Sequence, residues 1–475
     1  MSTYKSPPPS NLDDLCGSDE VYKLLNILKE DLTNNHLSTY QRETYLDKLK
    51  ILGRDPSNSS PLYTNDGIKI LASYAFTSHS PTTSRNASKC LANAMLLRAE
   101  TRQMFVNLGL EDKICEKLKI DNSEDEFLMT RIIFLTTYAS NIKPEKLIDQ
   151  NNLADNICLN IRRHTKRFLS QSEQSCTDPF EEMALNENLK LIFNLTHFFP
   201  MRKVAFHIVL KDLVLLLNGL PVSENSPLEP PTSLVINAIL NLDFEKTDSS
   251  ILFPTSSPDV LINHCVKILD LSLKNYGEED LEQNVTPLIL LFQKLNDLAP
   301  QVIQAQLQQL LLPSLEDRQQ ILGRAESTPS RLLRLLSNPM TPKLRESVSN
   351  LLFELSGKDA GKLIHNIGYG FASGFICNHD IPVPENLLET SDISQGHSDE
   401  NLVNEINPVT GQLLEEEEKI NIKDMTDEEK EREAEKLFVL FERLKKNGVI
   451  SVKNPMELYQ NSGKFEELKD DLDPD

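Results

Sequence analysis

The sequence predicts an all-α fold, because helical periodicity recurs along the chain while strand signals are nearly absent. In the segment VYKLLNILKEDL, Val21, Leu24 and Leu28 fall at positions i, i+3 and i+7, which places them on one helix face. Alternating apolar and polar residues and Asn-Gly hairpin turns are rare. Comparable helical patterns recur near residues 43–54, 86–109, 128–142, 183–199, 203–218, 233–242, 259–273, 285–298 and 330–355.

Four of these patterns align with one another around a polar residue. The aligned positions are Asn93 in ASKCLANAMLL, Thr136 in RIIFLTTYA, Asn194 in NLKLIFNLTHF and Asn241 in LVINAILNLDF, spaced by 43, 58 and 47 residues. A further unit, VSNLLFELSG, ends near Leu355. Armadillo and HEAT repeats recur every 40–47 residues or so and stack into a solenoid with a long concave face. We therefore predict an armadillo/HEAT-like solenoid over residues 1–378, with polar loops at 171–182 and 221–232.

The composition excludes several classes of protein. The net charge of −22 argues against a general nucleic-acid or anionic-membrane binder. Seven cysteines without a CxxC pair indicate reduced thiols instead of disulfides or a zinc site. The most apolar segment, VAFHIVLKDLVLLLNGL, contains Lys211 and Asp212 and is too short to span a bilayer. Since MSTYKSPPPS also has no apolar stretch that could act as a secretory signal, we expect a cytoplasmic protein.

Polar side chains accompany the aligned repeat positions at a spacing of four residues. Because residues i and i+4 share one helix face, each repeat can present a polar pair beside its apolar seam. On a concave face, amides can bond a peptide backbone and cations can attract carboxylates. The alternative for each amide is that it braces a neighbouring helical turn. The predicted peptide-binding residues are Lys50, Arg54, Lys89, Asn93, Lys190, Asn194 and Asn241.

The composition shifts after Cys377. Residues 381–475 carry 25 acidic and 11 basic side chains, so that −14 of the net charge lies there. We predict an acidic flexible linker at 379–424, an amphipathic helix at 425–450 and an acidic tail at 451–475. Thr426 and Glu429 fit a capping box, and Asn447-Gly448 fits a helix stop.

The predicted tail helix has an apolar face that needs a partner. Either it packs on the solenoid or it enters the groove of another protein. The residues of this face are Leu437, Phe438, Leu440, Phe441 and Leu444. In the linker, Ser391, Ser394 and Ser398 have an acidic setting that suits an acidophilic kinase, which makes them candidate phosphorylation sites.

No catalytic motif stands out. The segment NIGYGFASGF, which contains Gly368, Gly370 and Gly374, lacks the Lys-Ser/Thr pair and the strand context of a phosphate-binding loop. We predict a tight terminal turn there. The nine histidines show no metal-ligand spacing, and no GxSxG or Cys/His arrangement is present. We therefore expect no chemical active site, no cofactor and no metal.

Several stretches nevertheless resemble a known family. LFELSGKDAGKLIHNIGYGFASGFI, INPVTGQ and MTDEEKEREAEKLFVLFERLKKNGVI are similar to the C-terminal half of synembryns, the resistance-to-inhibitors-of-cholinesterase family. LKILGRD, ASKCLANAM, IIFLTT, LKLIFNLT and LLPSLEDRQQ agree with the family in the same order. The resemblance spans nearly the whole chain and is most distinctive in the C-terminal third.

This resemblance implies a guanine nucleotide exchange factor and folding chaperone for heterotrimeric G-protein α subunits (Gα). Family members hold the Gα C-terminal helix in the concave groove, which loosens the nucleotide pocket so that GDP leaves. The tail helix helps to hold the nucleotide-free subunit. Lys50, Arg54 and Asn93 match family groove residues in LKILGRD and CLANAM.

The implied partner is thus Gα in its GDP-bound and nucleotide-free states, and we expect a monomer that Gα recruits to the cell cortex or plasma membrane. The alternative function is that of an armadillo-repeat adaptor or scaffold without exchange activity.

Overall fold

In a computed structural model, the described residues are 17–170, 178–244, 249–382 and 406–417, with residues 426, 430, 432, 433, 436 and 439. Leu437, Phe438, Leu440, Phe441 and Leu444 of the predicted tail helix lie outside the described residues, as do the three linker serines. The chain divides after Glu416 into two units, Met1–Glu416 and Glu417–Asp475. In the second unit, the Lys430 N–H donates to the Thr426 carbonyl at 3.0 Å.

The first unit is an array of α-helices, which confirms the predicted fold class. Within its described residues, the extended structure is limited to an isolated bridge between Ile406 and Leu413. The helices are α1 Ser18–Asn34, α2 Thr39–Leu52, α3 Asn65–Thr77, α4 Pro81–Leu97, α5 Glu100–Val106, α6 Glu111–Lys117, α7 Ser123–Thr136, α8 Pro144–Asn151, α9 Leu153–Ser170, α10 Pro179–Phe198, α11 Leu210–Gly219, α12 Thr232–Asn241, α13 Val260–Asn275, α14 Glu278–Leu298, α15 Gln301–Leu311, α16 Thr328–Leu336, α17 Pro342–Leu355, α18 Ala360–Ile367 and α19 Tyr369–Asn378.

Seven helices form a first layer in which each contacts the next: α2, α4, α7, α10, α12, α14 and α17. The aligned positions Asn93, Thr136, Asn194 and Asn241 lie on α4, α7, α10 and α12 of this layer. Contacts from Arg131 to Glu187 and from Tyr138 to Asn194 advance together along α7 and α10, so these two helices are parallel. The sequence repeat therefore corresponds to a spatial repeat.

A second layer consists of helices α9, α11, α13 and α16, each of which contacts the next. The buried core side chains are mainly Leu and Ile, with Phe105, Phe206 and Phe292 among the largest fully buried ones. Burial of this kind supplies about 1.5–3 kcal/mol for each large apolar side chain. Among the described residues, no helix combines the length and the apolarity that crossing a membrane requires.

Local signals determine where several helices begin and end. Ser38 and Gln41 form a reciprocal capping box at the start of α2. Two predicted segments each contain two helices, since the segment near 86–109 divides after Leu97 and that near 330–355 divides around Pro339. The segment near 203–218 begins inside a 3₁₀-helix, Pro200–Val209, that leads into α11. The predicted segments do not include helices α3, α6, α8, α9, α15 and α18.

The glycine-rich segment differs from its prediction. The tight turn is confined to Gly368, with φ of 78°, whereas Tyr369–Asn378 form α19. A Cβ atom at Gly368 would lie 2.8 Å from the Gly411 nitrogen, so glycine is needed because another backbone segment approaches closely. That segment lies within the predicted linker. Tyr369 N–H donates to the Pro408 carbonyl at 2.8 Å.

Residues 406–416 are thus part of the first unit. The buried Arg318 guanidinium donates to the carbonyls of Gly411 and Asn366 at 2.7 and 2.8 Å, and the Leu413 N–H returns a bond to the Arg318 carbonyl at 3.0 Å. Burial lowers the pKa of Arg318. Hydrogen bonds from a charged group to backbone carbonyls hold this segment against the end of the array.

Candidate functional site

The predicted peptide-binding residues all belong to the first layer. Lys50 lies on α2 and Arg54 follows the end of α2, while Lys89 and Asn93 lie on α4. Lys190 and Asn194 lie on α10, and Asn241 is the last residue of α12. The structure therefore brings the predicted residues onto successive helices of one layer, which is the arrangement that a long peptide-binding surface requires.

Two of the predicted amides connect neighbouring repeats. The Asn194 Nδ2 donates to the Thr137 hydroxyl at 2.8 Å, and its Oδ1 accepts a hydrogen bond from the Tyr138 hydroxyl at 3.0 Å. The Asn241 Nδ2 donates to the Phe193 carbonyl at 3.4 Å. Asn194 is 2% exposed, so its amide stabilises the contact between α10 and α7. The polar residue inside an apolar helix is explained by these bonds.

Two of the predicted cations are paired with carboxylates of the same layer. The Lys89 Nζ lies 2.6 Å from Glu124 and the Lys190 Nζ lies 3.0 Å from Glu187. The buried Glu187 also accepts a bond from Arg131 at 2.8 Å. A ligand carboxylate would have to compete with these partners. The layer consequently presents carboxylates beside the cations and amides that the sequence predicts.

Near α2 and α4 the polar groups are more available. Lys50 is paired with Asp47, but Arg54 is exposed and has no ion pair or hydrogen bond from its guanidinium among the described residues. Asn93 is half-buried, and its amide likewise has no partner in the described part of the chain. The Cys90 thiol donates to the Leu46 carbonyl at 3.3 Å. This register places Asn93, one turn after Cys90, beside the end of α2.

Aromatic side chains that the sequence analysis missed lie at the C-terminal ends of α7 and α10. Tyr138 is 38% exposed and Phe198 is 48% exposed, and their rings make an edge contact with centroids 6.0 Å apart. His197 stacks on Phe193 with centroids 5.6 Å apart and meets the Phe198 ring edge-on at 5.0 Å. The sequence did contain a signal for these rings, because an aromatic residue follows the aligned polar position in both TTYA and THFF. Partly exposed aromatic groups are typical anchors of binding surfaces.

A buried ionic cluster lies at the N-terminal ends of α7 and α10 and connects these helices to α9. His164 is 3% exposed; its Nε2 lies 2.7 Å from Glu126 on α7 and its Nδ1 lies 2.6 Å from Glu181 on α10. Burial alone would lower the pKa of His164, but the hydrogen bonds to Glu126 and Glu181 outweigh it and raise that pKa to about 9. Burial alone would raise the pKa of Glu181. Hydrogen bonds from His164, Ser123 and Arg167 outweigh burial and lower that pKa to about 2.

The described residues carry little that resembles catalytic chemistry. They contain no group of three or more His, Cys, Asp or Glu side chains that could hold a metal ion. Burial raises the pKa values of the Cys90, Cys115, Cys158 and Cys265 thiols to about 12. Thiols of this kind are packing groups, because a nucleophile needs the thiolate.

Comparison with known proteins identifies the family. The family model described as guanine nucleotide exchange factor synembryn (Ric8) matches residues 45–464. A synembryn-like chaperone of Schizosaccharomyces pombe is 30% identical over 340 residues, which are 65% of this chain and 62% of the relative. The match therefore spans a little under two thirds of that relative's length.

More distant relatives cover more of the chain. The chaperone Ric-8A of Macaca fascicularis is 22% identical over 472 residues, covering 90% of this chain and 84% of the relative. Ric-8A of Gallus gallus is 24% identical over 449 residues. A solved engineered protein, target OR329, aligns with 57% of this chain at 14% identity and a TM-score of 0.37. Since the family model extends over most of the sequence, the chain belongs to the synembryn (Ric8) family.

Proposed function

We propose that this protein is a guanine nucleotide exchange factor and folding chaperone for Gα, and that its first layer binds the Gα C-terminal helix. The relatives are named chaperones and the family is described as an exchange factor, which supports both roles. The observation that carries the proposed site is the availability of Arg54 and Asn93, whose side chains have no partners among the described residues. Their layer also exposes Tyr138 and Phe198.

These groups suit an amphipathic helix that ends in a carboxylate. Arg54 can bind the terminal carboxylate through two parallel hydrogen bonds, and Asn93 can bond a free backbone group at the last turn of the ligand helix. Tyr138 and Phe198 offer apolar area about two helices further along the layer. Asn194 and Asn241, which we predicted as ligand-binding residues, have the geometry of braces that keep the neighbouring helices in register.

Acceleration of GDP release needs no bond-making group in this chain. A protein that binds the nucleotide-free form of Gα more tightly than the GDP-bound form shifts the equilibrium toward nucleotide loss by the difference in affinity. This fits a surface whose described residues offer paired charges, amides and aromatic rings but no activated nucleophile. The chaperone role uses the same preference, since a nucleotide-free Gα is incompletely folded. We expect the protein to act as a monomer in the cytoplasm and to reach the cell cortex through Gα.

The tail supplies a second contact in this proposal. The apolar face of the predicted helix at 425–450, which lies outside the described residues apart from isolated positions, would dock on Gα while the first layer holds the Gα C-terminus. The acidic linker and the acidic end of the chain would connect and flank this helix. The predicted linker at 379–424 thus remains part of the proposal except for residues 406–416, which belong to the first unit.

A pair of substitutions tests the site. Arg54→Glu with Asn93→Ala should weaken binding of a Gα C-terminal peptide by at least about tenfold, because one charge-assisted bond and one neutral bond are lost. The measurement is calorimetry, accompanied by the rate of GDP release from Gα. The matched control is Arg324→Glu, since Arg324 is also exposed and lies outside the first layer.

Unchanged peptide affinity in the double variant rejects the site. If the unaltered protein binds the peptide but does not accelerate GDP release, the alternative of an adaptor or scaffold without exchange activity is correct. Neither Arg54 nor Asn93 supports the packing of the array, so a thermal melting curve should be the same for the variant and for the unaltered protein.

A further inference from the structure

Helices α9 and α11 lie side by side in the second layer, away from the proposed Gα site. The Arg162 Nε lies 3.1 Å from the Asp212 carboxylate. About two helical turns further along both helices, a Cβ atom at Gly219 would lie 3.2 Å from the Leu169 side chain. Both contacts pair residues that are fifty positions apart in sequence. The two helices are therefore parallel and share one register over this length.

The outward face of this helix pair exposes large apolar side chains. On α9, Leu159 is 45% exposed and Leu169 is 53% exposed, and their spacing of ten residues places them about 80° apart around the helix. Ile208, at the end of the 3₁₀-helix, is 42% exposed, and Leu215 on α11 is 41% exposed. The offset of fifty residues places Leu159 and Ile208 at the same level.

Cations alternate with these apolar groups. Lys166 lies between Leu159 and Leu169 on the face of α9, and Lys211 lies one turn before Leu215 on α11. Both lysines are exposed, and neither has an ion pair in the part of the chain that the structure describes. Asp212 does not offset them, because Arg162 already pairs with it. Asp155, at the start of α9, is the one further exposed acid on the α9 face.

We propose that this face, defined by Leu159, Leu169, Ile208, Leu215, Lys166 and Lys211, binds the surface of an anionic lipid bilayer. Separate apolar side chains can insert at the boundary of the headgroups while the lysines approach the lipid phosphates. The net charge of −22 argues against a general attraction to anionic membranes, but charges more than about 8 Å from this face are largely screened at physiological salt, so a local basic face can still bind.

A lipid surface fits this face better than a partner helix does. A docked helix needs a continuous apolar groove with anchors three and four residues apart. Here lysines interrupt the apolar residues on both helices. At Gly219 the space between α9 and α11 is filled, since a Cβ there would lie 3.1 Å from Phe168. A bilayer, by contrast, needs only that side chains reach outward from one face.

Vesicle sedimentation with the purified full-length protein, without Gα, tests the proposal. The protein should sediment with phosphatidylcholine vesicles that contain 30% phosphatidylserine, and much less with phosphatidylcholine alone. Lys166→Glu with Lys211→Glu should weaken this binding about tenfold or more. The control Lys113→Glu with Lys343→Glu makes the same change in net charge at two exposed lysines elsewhere, and it should bind like the unaltered protein.

A second variant separates the apolar contribution. Leu159→Ser with Leu215→Ser should also reduce sedimentation, and the effect should persist at 0.5 M salt, where the lysine contribution is screened. Circular dichroism melting confirms that each variant is folded. The proposal is overturned if the unaltered protein does not sediment with phosphatidylserine vesicles. It is also overturned if the control double variant loses as much binding as the variant altered at Lys166 and Lys211. It is equally overturned if this face binds an acidic amphipathic peptide instead of vesicles.

Discussion

The buried His164 cluster should make the stability of this protein fall between neutral and mildly alkaline pH. In the folded protein the pKa of His164 is raised to about 9, whereas an unfolded histidine titrates near 6.5. A group with a raised pKa contributes its full stability below the unfolded value and loses it as the pH rises through the folded value. The shift of about 2.5 units corresponds to roughly 3 kcal/mol at pH 6, of which about 2 kcal/mol is lost by pH 8.5.

The variant His164→Gln isolates this contribution. Glutamine cannot become charged, so Glu126 and Glu181 lose their shared cation and the protein should be destabilised by about 3–5 kcal/mol at pH 6. The difference in unfolding free energy between the two proteins should then narrow by about 2 kcal/mol at pH 8.5. Urea unfolding followed by circular dichroism at pH 6.0, 7.0 and 8.5 measures this difference.

Comparing His164→Gln with the unaltered protein cancels the contributions that other titrating groups make to stability. The pKa values of four buried thiols are raised to about 12, so unfolding also becomes easier above pH 8.5, but equally in both proteins. His207→Gln is the matched control, because His207 is exposed and, among the described residues, its ring bonds only the Val204 carbonyl on its own helix. A stability difference that stays constant from pH 6.0 to 8.5 would refute the reasoning, since it would mean that His164 is not charged in the folded protein.

The same cluster explains one failure of sequence reasoning. In the α9 segment LADNICLNIRRHTKRFLS, Leu153, Ile157 and Ile161 have helical spacing, but the buried face also includes Asn156, Asn160 and His164, whose burial the sequence did not indicate. The groups that satisfy His164 come from α7 and α10, and are distant in sequence. A pattern search sees only the polarity of a residue, whereas burial depends on partners that folding brings together.

In the first layer, by contrast, the sequence pattern did indicate the arrangement of the helices. Its repeat was visible in the sequence, since the aligned positions around Asn194 and Asn241 do lie on helices that contact each other in succession. What the spacing could not reveal was the use of each polar group. Lys89 binds Glu124 on the neighbouring helix α7, whereas Lys190 binds Glu187 one turn earlier on its own helix α10. A helix pattern predicts which face a residue occupies, but the free charge of that face depends on the neighbouring helices.

Two further predictions concern the first layer and the tail. Asn194→Ala removes hydrogen bonds to Thr137 and Tyr138, so it should lower the free energy of unfolding by about 1–3 kcal/mol in urea titrations, whereas a ligand-binding role alone would leave stability unchanged. Leu437→Asp with Phe441→Asp should leave melting of the array and binding of the isolated Gα peptide unchanged but should strongly slow GDP release. The reason is that burying two such side chains against Gα is worth roughly 3–6 kcal/mol, and a charge on the apolar face opposes that burial. If these substitutions instead lower the melting temperature of the free protein and leave GDP release intact, the tail helix stabilises the fold and does not contact the partner.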